Sequence, residues 1–469
     1  MLITDCLNEV FEFLEEDHYT LHSCLLVNRF WCKVSVRNLW RNVWDFKYNF
    51  PVIRQMCISS KILSTLIACL PNDLRDYLND NGIFIYTPTS KSPLFNYISF
   101  CRVLSIHEID RIIFDVLKCQ QADIPQSLNR NRHLVSRAIL KMFMRQIPCL
   151  KELNFLSMGN IRNISNIGFT YFPGATECLR ELSILSCSSD VYSEFFYQLS
   201  QICGNIQSIS IKFEGFVSHG LKDLISSQKY LKQLSLTQYS HKVKWKDVIS
   251  LLTSSSDTLT NIKVLVLSLN HMGNFEDFKE LQHVTFSLLQ NLKFPHRFPE
   301  CEYLYKFLEI NGKNLKCLHI ADSDRSLNLL IAKSCPNLRI LTTTFTDNEI
   351  DTLEIILSNC QQLESIKVWC GYGCLDEKIL LEILTDFSPR NFYKLKLIHK
   401  ANSRLFPKDL EEFFVRWSHR VPLKPLVLII IKRYRVKSLE IQRENMKVLE
   451  KYKKLGVIKK LETVKFDDD

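Results

Sequence analysis

A short apolar pattern recurs along most of the chain and constrains its fold more than any other feature. In nearly every copy, apolar residues occupy the first, fourth and sixth positions, as in Leu231/Leu234/Leu236 and Leu363/Ile366/Val368. The copies begin at residues 150, 179, 206, 231, 262, 289, 315, 338, 363 and 392. Successive copies are therefore 23 to 31 residues apart. Intervals this similar predict repeated units that bury their apolar faces against one another.

Each copy changes its periodicity halfway. The end of the triplet alternates like a short strand, and the residues after it have helical spacing. Asp347 and Asp376 are predicted N-caps of two such helices, while Leu304, Phe307 and Leu308 mark a third. Leu281/Val284/Phe286 competes with the copy at residue 289, and Cys101/Leu104/Ile106 is an earlier candidate copy.

One strand and one helix in about 26 residues resembles the leucine-rich repeat, whose units span about 20–29 residues. The resemblance implies an α/β fold in which a small all-α N-terminal module precedes a curved solenoid. Cysteines support it, because Cys203, Cys335 and Cys360 each stand three residues before a copy, while Cys149 and Cys178 stand one residue before. This resembles the cysteine-containing subclass, in which the thiol ends the helix and packs inside the turn. No two cysteines have the C-x-x-C spacing, so neither a metal nor a cofactor is predicted.

The first 50 residues have a different pattern, with three short amphipathic helices. Asp5 is the predicted cap of the first, whose apolar residues are Leu7, Val10, Phe11 and Leu14. A module of this size cannot bury all its large apolar groups and is expected to share them with a partner.

Three segments of this module resemble an F-box. Residues 6–14 are similar to its first helix, residues 21–31 to its second helix and the following turn, and Leu39-Trp40-Arg41 to its end. Leu2-Ile3-Thr4 stands where the family has a Leu-Pro pair. An F-box ahead of leucine-rich repeats resembles the substrate receptors of cullin-type (SCF-type) ubiquitin ligases. The resemblance implies a non-catalytic chain that binds a Skp-family adaptor, through it a cullin, and a protein target.

Two sets of contact residues follow. Helix-in-groove docking uses residues with i, i+3, i+4 and i+7 spacing, and large aromatic residues dominate such interfaces. The predicted adaptor-binding residues are Leu7, Val10, Phe11, Leu14, Leu21, Val27, Trp31 and Trp40. Strand alternation predicts that residues between the repeat apolar positions face the target from the concave side. These are Asn154, Ser183, Ser210, Ser235, Val266, His319 and Lys367.

The predicted organisation has four parts: 1–45, the F-box module; 46–95, a helical linker and solenoid N-cap; 96–437, the repeat solenoid; and 438–469, a basic cap helix with an acidic tail. The basic charge is C-terminal, since residues 390–469 hold 21 Lys and Arg against 10 Asp and Glu. An apolar stripe that includes Leu449 and Tyr452, with Gly456 as a C-cap, favours a terminal cap helix.

Two alternatives to the ligase reading remain open. The chain could be a leucine-rich-repeat scaffold without a ubiquitin role, its N-terminal helices serving as a cap. It could also associate with nucleic acid through its basic end, which we consider the weaker alternative. Glycine-rich phosphate loops, nucleophile elbows and H-E-x-x-H motifs are absent, so no catalytic residue is predicted. No signal peptide or membrane helix is expected, which predicts a cytoplasmic or nuclear protein.

Overall fold

Two compact units make up the chain, Met1–Leu231 (unit 1) and Lys232–Asp469 (unit 2). The structure is a computed structural model. It describes residues 2–14, 17–44, 52–85, 93–120, 125–156, 166–240, 243–253, 259–269, 276–296, 299, 301–321 and 323–466. Both units are α/β and repeat a strand followed, in most cases, by a helix. In the described part of the chain, no helix is long and apolar enough to cross a membrane.

Unit 1 begins with helices and continues with four parallel strands that pair in chain order. Its elements are α1 (Leu2–Glu12), α2 (His18–Cys24), α3 (Arg29–Leu39), α4 (Val52–Ala68), α5 (Asn72–Asp80), β1 (Val103–Ser105), α6 (Ile106–Gln120), α7 (Pro125–Gln146), β2 (Glu152–Phe155), α8 (Ala175–Leu179), β3 (Ile184–Ser188), α9 (Phe195–Ile202), β4 (Ser208–Phe213) and α10 (His219–Ser226).

Unit 2 contains nine described strands, also parallel and paired in chain order. Its elements are β5 (Gln233–Gln238), α11 (Trp245–Thr253), β6 (Val264–Leu269), β7 (Asn291–Phe294), α12 (Cys301–Asn311), β8 (Cys317–Ile320), α13 (Arg325–Ser334), β9 (Ile340–Thr343), α14 (Ile350–Asn359), β10 (Ser365–Cys370), α15 (Glu377–Phe387), β11 (Lys394–His399), α16 (Pro407–Ser418), β12 (Leu426–Lys432), α17 (Arg443–Lys454) and β13 (Ile458–Lys465).

The apolar triplets form the interior of both units. Leu318, Leu341, Ile366 and Leu395 stand opposite one another on successive strands, and each is fully buried. Burial of one such side chain contributes about 1.5–3 kcal/mol. The triplet pattern therefore predicted the strand alignment throughout β5–β11, and that prediction is confirmed.

The copy predicted at residue 179 is wrong by three residues. Leu153 and Phe155 pair with Leu185 and Cys187, so this unit is Leu182/Leu185/Cys187. Ile184, the predicted third apolar residue, is 37% exposed. The prediction chose the wrong register because the third apolar residue of this triplet is Cys187 and not an aliphatic residue. The earlier candidate copy is confirmed, since Leu104 pairs with Leu153. In the competition near residue 289, Leu292 takes the strand position.

Of the four predicted helix caps, the structure confirms Asp376 and Gly456 and contradicts Asp5 and Asp347. Asp376 caps α15 by accepting a hydrogen bond from the Lys378 amide at 2.8 Å. Asp347 does not cap α14, because Glu349 is the N-cap residue and its carboxylate accepts from the Thr346 amide at 2.7 Å. Asp5 lies inside α1, which begins at Leu2. Gly456, with a φ of +74°, follows the end of α17 as predicted.

Buried cysteines end three helices. Cys203, Cys335 and Cys360 directly follow α9, α13 and α14, and none is exposed. The Cys203 thiol lies 3.2 Å from the Leu179 carbonyl oxygen, to which it donates. Burial raises the pKa of the Cys203 and Cys360 thiols to about 12, so both are uncharged at neutral pH. The packing role predicted for these three is confirmed. Cys178 is also buried, whereas Cys149 is half-buried.

Side-chain amides at the ends of helices join neighbouring repeats, and Gln228 lies three residues before Leu231, as Cys203, Cys335 and Cys360 do before their copies. Gln228 accepts from the Ile206 amide at 2.9 Å and donates to the Cys203 carbonyl at 2.7 Å. Asn311 accepts from the Phe286 amide at 2.7 Å in the same way. Each satisfies backbone groups that burial would otherwise leave unpaired.

The C-terminal segment adds a strand that the sequence did not predict. β13 follows the expected helix α17 and pairs with β12. Its apolar residues Ile458, Leu461 and Val464 stand at every third position with polar residues between them, and this spacing obscured the strand pattern. The predicted acidic tail, Asp467 to Asp469, lies outside the described residues.

Candidate interaction surfaces

The first three helices form a small module with its own interior. Helices α1 and α2 both pack on α3. Phe11 is 1% exposed and meets the Trp31 ring edge-on at 5.4 Å, while Leu21 is fully buried. Asn28 caps α3 by accepting from the Trp31 amide at 2.9 Å. Asp17 caps α2, and hydrogen bonds from the Thr20 hydroxyl and amide lower the pKa of the Asp17 carboxyl, so this cap is charged at neutral pH.

A group of large apolar side chains on this module faces solvent, and we call it the N-terminal apolar surface. It consists of Val10, Phe13, Leu26, Val27 and Phe30. Phe13 is 92% exposed and Leu26 is 81% exposed. Val10 and Phe13 lie at the end of α1, and Leu26, Val27 and Phe30 lie between the end of α2 and the first turn of α3, so all five belong to the segments that adjoin the Phe11–Trp31 contact. Exposed apolar groups concentrated in this way mark an interaction site.

The predicted adaptor-binding residues divide into three groups. Val10 and Val27 belong to the N-terminal apolar surface, while Leu7, Leu14 and Trp31 are half-buried. The interior of unit 1 contains the remaining three, namely Phe11, Leu21 and Trp40. Those three support the module rather than form its surface.

Sequence reasoning missed Phe13, Leu26 and Phe30. Phe13 lies off the i, i+3, i+4, i+7 stripe of the first helix, so a search for anchors on that stripe passes over it. A large apolar residue outside the apolar stripe was the available signal.

The end of the module is tied to the first strand. The Arg41 carbonyl accepts from the amides of Arg102 and Val103 at 2.9 and 3.0 Å. The Trp44 indole donates to the Val103 carbonyl at 2.9 Å. Trp40 packs on Tyr97 with 4.7 Å between ring centroids. Later repeats use the same arrangement, since the Lys151 carbonyl accepts from Ser183 and Ile184. Arg41 thus occupies the position of a preceding repeat.

Strand residues that alternate with the buried ones line a second surface, the open face. In unit 1, the pairing aligns Ser105, Asn154, Ser186 and Ser210 across β1–β4. Asn154 and Ser210 lie on the open face as predicted and are half-buried. Ser183 does not, because it precedes β3 and its hydroxyl donates to the Lys151 carbonyl at 2.9 Å. This displacement follows from the three-residue error in the copy at residue 179.

The open face of unit 2 has a different composition. The aligned residues across β5–β11 are Ser235, Val266, Lys293, His319, Thr342, Lys367 and Lys396. The predicted target-facing residues Ser235, Val266, His319 and Lys367 all lie in this row and are half-buried. Three lysines and a histidine of one row therefore share one level of the sheet.

An aromatic site lies beside this row. Trp369 follows Lys367 by two residues on the same face, with the Arg433 guanidinium 5.4 Å and the Lys400 ammonium 5.8 Å from its ring centre. The Phe466 ring lies 5.5 Å away. Ile398, Ile429 and Ile431 form a buried cluster against which Trp369 packs.

A groove of about 500 Å³ lies at the N-terminal ends of the strands β8 and β9 of unit 2. Lys316 and Arg339, which directly precede β8 and β9, line it together with Lys313. Glu364 also lines the groove and pairs with Arg339 at 2.5 Å. The groove is thus polar and carries a positive excess.

The polar cluster most similar to a catalytic site is structural. His399 lies 2.5 Å from the Glu377 carboxylate, and Ser403 donates to both oxygens of that carboxylate at 2.7 and 3.0 Å. The hydroxyl faces the carboxylate rather than the imidazole, so the histidine cannot act as a base on it. Among the described residues, no group of three or more His, Cys, Asp or Glu could hold a metal. No protein-family model matches the chain.

Proposed function

We propose that this chain is the substrate receptor of a cullin-type ubiquitin ligase. The N-terminal module acts as an F-box that binds a Skp-family adaptor and, through it, a cullin, in the cytoplasm or nucleus. The strand–helix units are leucine-rich repeats that bind the protein target. The chain itself performs no chemistry, and its contribution is to raise the effective concentration of target lysines near a charged enzyme.

The N-terminal apolar surface is the observation that carries this proposal. A monomer gains nothing by exposing Phe13 almost completely, because each large apolar side chain contributes to stability only when it is buried. Phe11 and Leu21 are buried in the interior of the three helices, and Phe13 is not part of that interior. A partner with an apolar groove accounts for these residues, and the F-box resemblance names that partner.

Co-purification with a Skp-family adaptor tests the proposal. The informative variant is Phe13→Asp with Leu26→Asp, since both side chains are exposed and their replacement leaves the interior intact. Adaptor binding should fall below detection, while the thermal midpoint stays close to that of the unchanged chain. Phe84→Asp is the matched control, because Phe84 is 74% exposed but lies outside the module.

The observation that favours a scaffold without a ubiquitin role is the junction at Arg41. The module continues the hydrogen-bonding pattern of the repeats, as a dedicated end cap would do. A folded, unchanged chain that fails to bind any Skp-family adaptor would overturn the ligase proposal and leave the scaffold. Binding that survives both Asp substitutions would show that the N-terminal apolar surface is not the docking site.

A further inference from the structure

A row of apolar side chains crosses the open face of unit 2 near the carboxyl ends of β10–β13. Strand pairing places Trp369 on β10, Ile398 on β11, Ile431 on β12 and Val464 on β13 opposite one another. Ile398 and Ile431 are fully buried, although they lie on the open face. Trp369 and Val464 pack against them from the two ends of the row. This part of the open face is therefore covered by its own side chains.

The ring of Phe466 extends this cover across the sheet. Phe466 follows Val464 by two residues and so lies on the same face, and its ring centre is 5.5 Å from that of Trp369. The strands β10 and β13 are about 14 Å apart, because neighbouring strands are spaced by ~4.8 Å. The side chains of Trp369 and Phe466 therefore lean toward each other over β11 and β12, where Ile398 and Ile431 lie.

Phe466 is only partly buried in this position. It is 43% exposed, whereas Phe278, Phe294 and Phe307 in the interior of unit 2 are fully buried. The distance and tilt between its ring and that of Trp369 are those of a favourable aromatic pair. A ring this exposed contributes only part of the stabilisation that full burial gives. An aromatic side chain from another molecule could therefore take its place without unfolding the sheet.

Two further aromatic side chains are exposed at the same edge of the sheet. Tyr372 and Tyr434 stand two residues after the ends of β10 and β12, and both are almost completely exposed. The strands are parallel, so their carboxyl ends meet at the edge where Phe466 follows β13. Aromatic residues are enriched in protein interfaces, and exposed apolar groups concentrated in one place mark an interaction site.

We propose that an aromatic side chain of the target protein binds on Trp369, and that Phe466 occupies this position until the target displaces it. This inference rests on the proposed function, since it names the feature by which the target is recognised. The contact between Phe466 and Trp369 supports it, because a phenylalanine side chain of a polypeptide already fits the site. The same contact favours a protein target over a nucleic acid.

Fluorescence anisotropy with a labelled peptide tests this on the full chain. The probe has the sequence of residues 461–469, which includes Phe466, and a second peptide has alanine in place of that phenylalanine. The Phe466→Ala chain should bind the first peptide at least about tenfold more tightly than the unchanged chain does. The reason is that an occupied site lowers the apparent affinity by the fraction of molecules in which it is open. The alanine peptide has the same charges and should bind neither chain.

Three further variants locate the contact. Trp369→Leu combined with Phe466→Ala should abolish the gain, because leucine is apolar but lacks the aromatic ring. Phe466→Tyr keeps a ring in the site and should show no gain. Phe387→Ala is the matched control, because Phe387 is 40% exposed but is the last residue of helix α15. That variant should bind the peptide no better than the unchanged chain.

Thermal unfolding decides whether Phe466 is a displaceable cover or a fixed part of the fold. Phe466→Ala should lower the thermal midpoint no more than Phe387→Ala does, since the two side chains are exposed to a similar extent. A Phe466→Ala chain that loses its fold would overturn the inference. A folded Phe466→Ala chain that binds both peptides equally, or binds neither, would also overturn it.

Two other outcomes separate this inference from its alternatives. If a single-stranded oligonucleotide of similar length binds the Phe466→Ala chain more tightly than the peptide does, nucleic acid replaces the protein target. Adaptor co-purification is measured separately from peptide binding. Peptide binding without adaptor binding would therefore refute the proposed function but not this site, and the reverse result would refute only the inference about Trp369.

Discussion

Units 1 and 2 share one way of building an interior but present different open faces. In unit 1 the aligned row is Ser105, Asn154, Ser186 and Ser210, without a charge. In unit 2 the row includes Lys293, Lys367 and Lys396. The buried triplets are alike because every repeat must fill the same space. The open face is not part of that interior, so its composition is free to differ between the units.

The largest effect on stability should come from removing one large buried side chain from the interior of a unit. Phe195 in unit 1 is fully buried and contacts four aromatic rings at 5.3–5.9 Å, so Phe195→Ala should cost about 3–5 kcal/mol. Phe307→Ala is the counterpart in unit 2. Hydrogen exchange should increase mainly in the substituted unit, because a repeat contacts only its neighbours. If hydrogen exchange increases equally in both units, the expectation that each unit loses protection separately is wrong.

Alkaline pH should destabilise both units for the same reason, since each contains a buried cysteine thiol. Burial raises the pKa of Cys203 and Cys360 to about 12, against about 8.5 for a thiol in the unfolded chain. Between these values only the unfolded chain loses the proton. Stability should therefore fall as pH rises above about 9, by about 1.4 kcal/mol per pH unit for each thiol. Urea unfolding at two alkaline pH values measures this slope. Cys203→Ala and Cys360→Ala should each reduce it equally, whereas Cys6→Ala, at an exposed thiol, should not.

Helix caps provide a smaller and more local comparison. Asn28 caps α3 in the N-terminal module, and Asp324 caps α13 in unit 2 by accepting from the Leu327 amide at 2.8 Å. Replacement of either by alanine should cost about 1 kcal/mol in thermal unfolding. Only Asn28→Ala should also weaken adaptor binding, because it loosens the start of α3 beside Phe30. If Asp324→Ala weakens adaptor binding to the same extent, the effect is one of general stability.

The smallest effect should appear on the open faces themselves. Lys367→Thr removes one of two like charges on adjacent strands, together with the interaction that Lys367 itself makes, and should change the stability of the chain by less than about 1 kcal/mol at low salt. The part of this change that is due to charge repulsion should disappear at high salt, where such repulsion is screened. Asn154→Thr, at the equivalent level of unit 1, should have no salt-dependent effect. A destabilising Lys367→Thr would show that the row of cations supports the fold.

The sequence predicted most of the interior and less of the surfaces. Alternation around Leu292 and Leu395 points to Lys293 and Lys396 by the same rule that selected Lys367, so those positions were within reach. Their alignment into one row follows from the triplets as well, because the middle residues of the triplets stand opposite one another across β5–β11. The error at residue 179 arose where Cys187 replaced an aliphatic residue. The position of Phe13 outside the apolar stripe of the first helix was a signal of its exposure, but how fully it is exposed depends on how three helices fill their interior.

The junction between the N-terminal module and β1 leaves little freedom at that point. Two backbone hydrogen bonds to Arg41 and the packing of Trp40 and Trp44 would all have to break before the module could turn against the strand. A force applied to the helices would therefore be transmitted to β1, because no flexible hinge lies between them among the described residues of this junction. A partner that binds the N-terminal module would therefore also fix the orientation of β1.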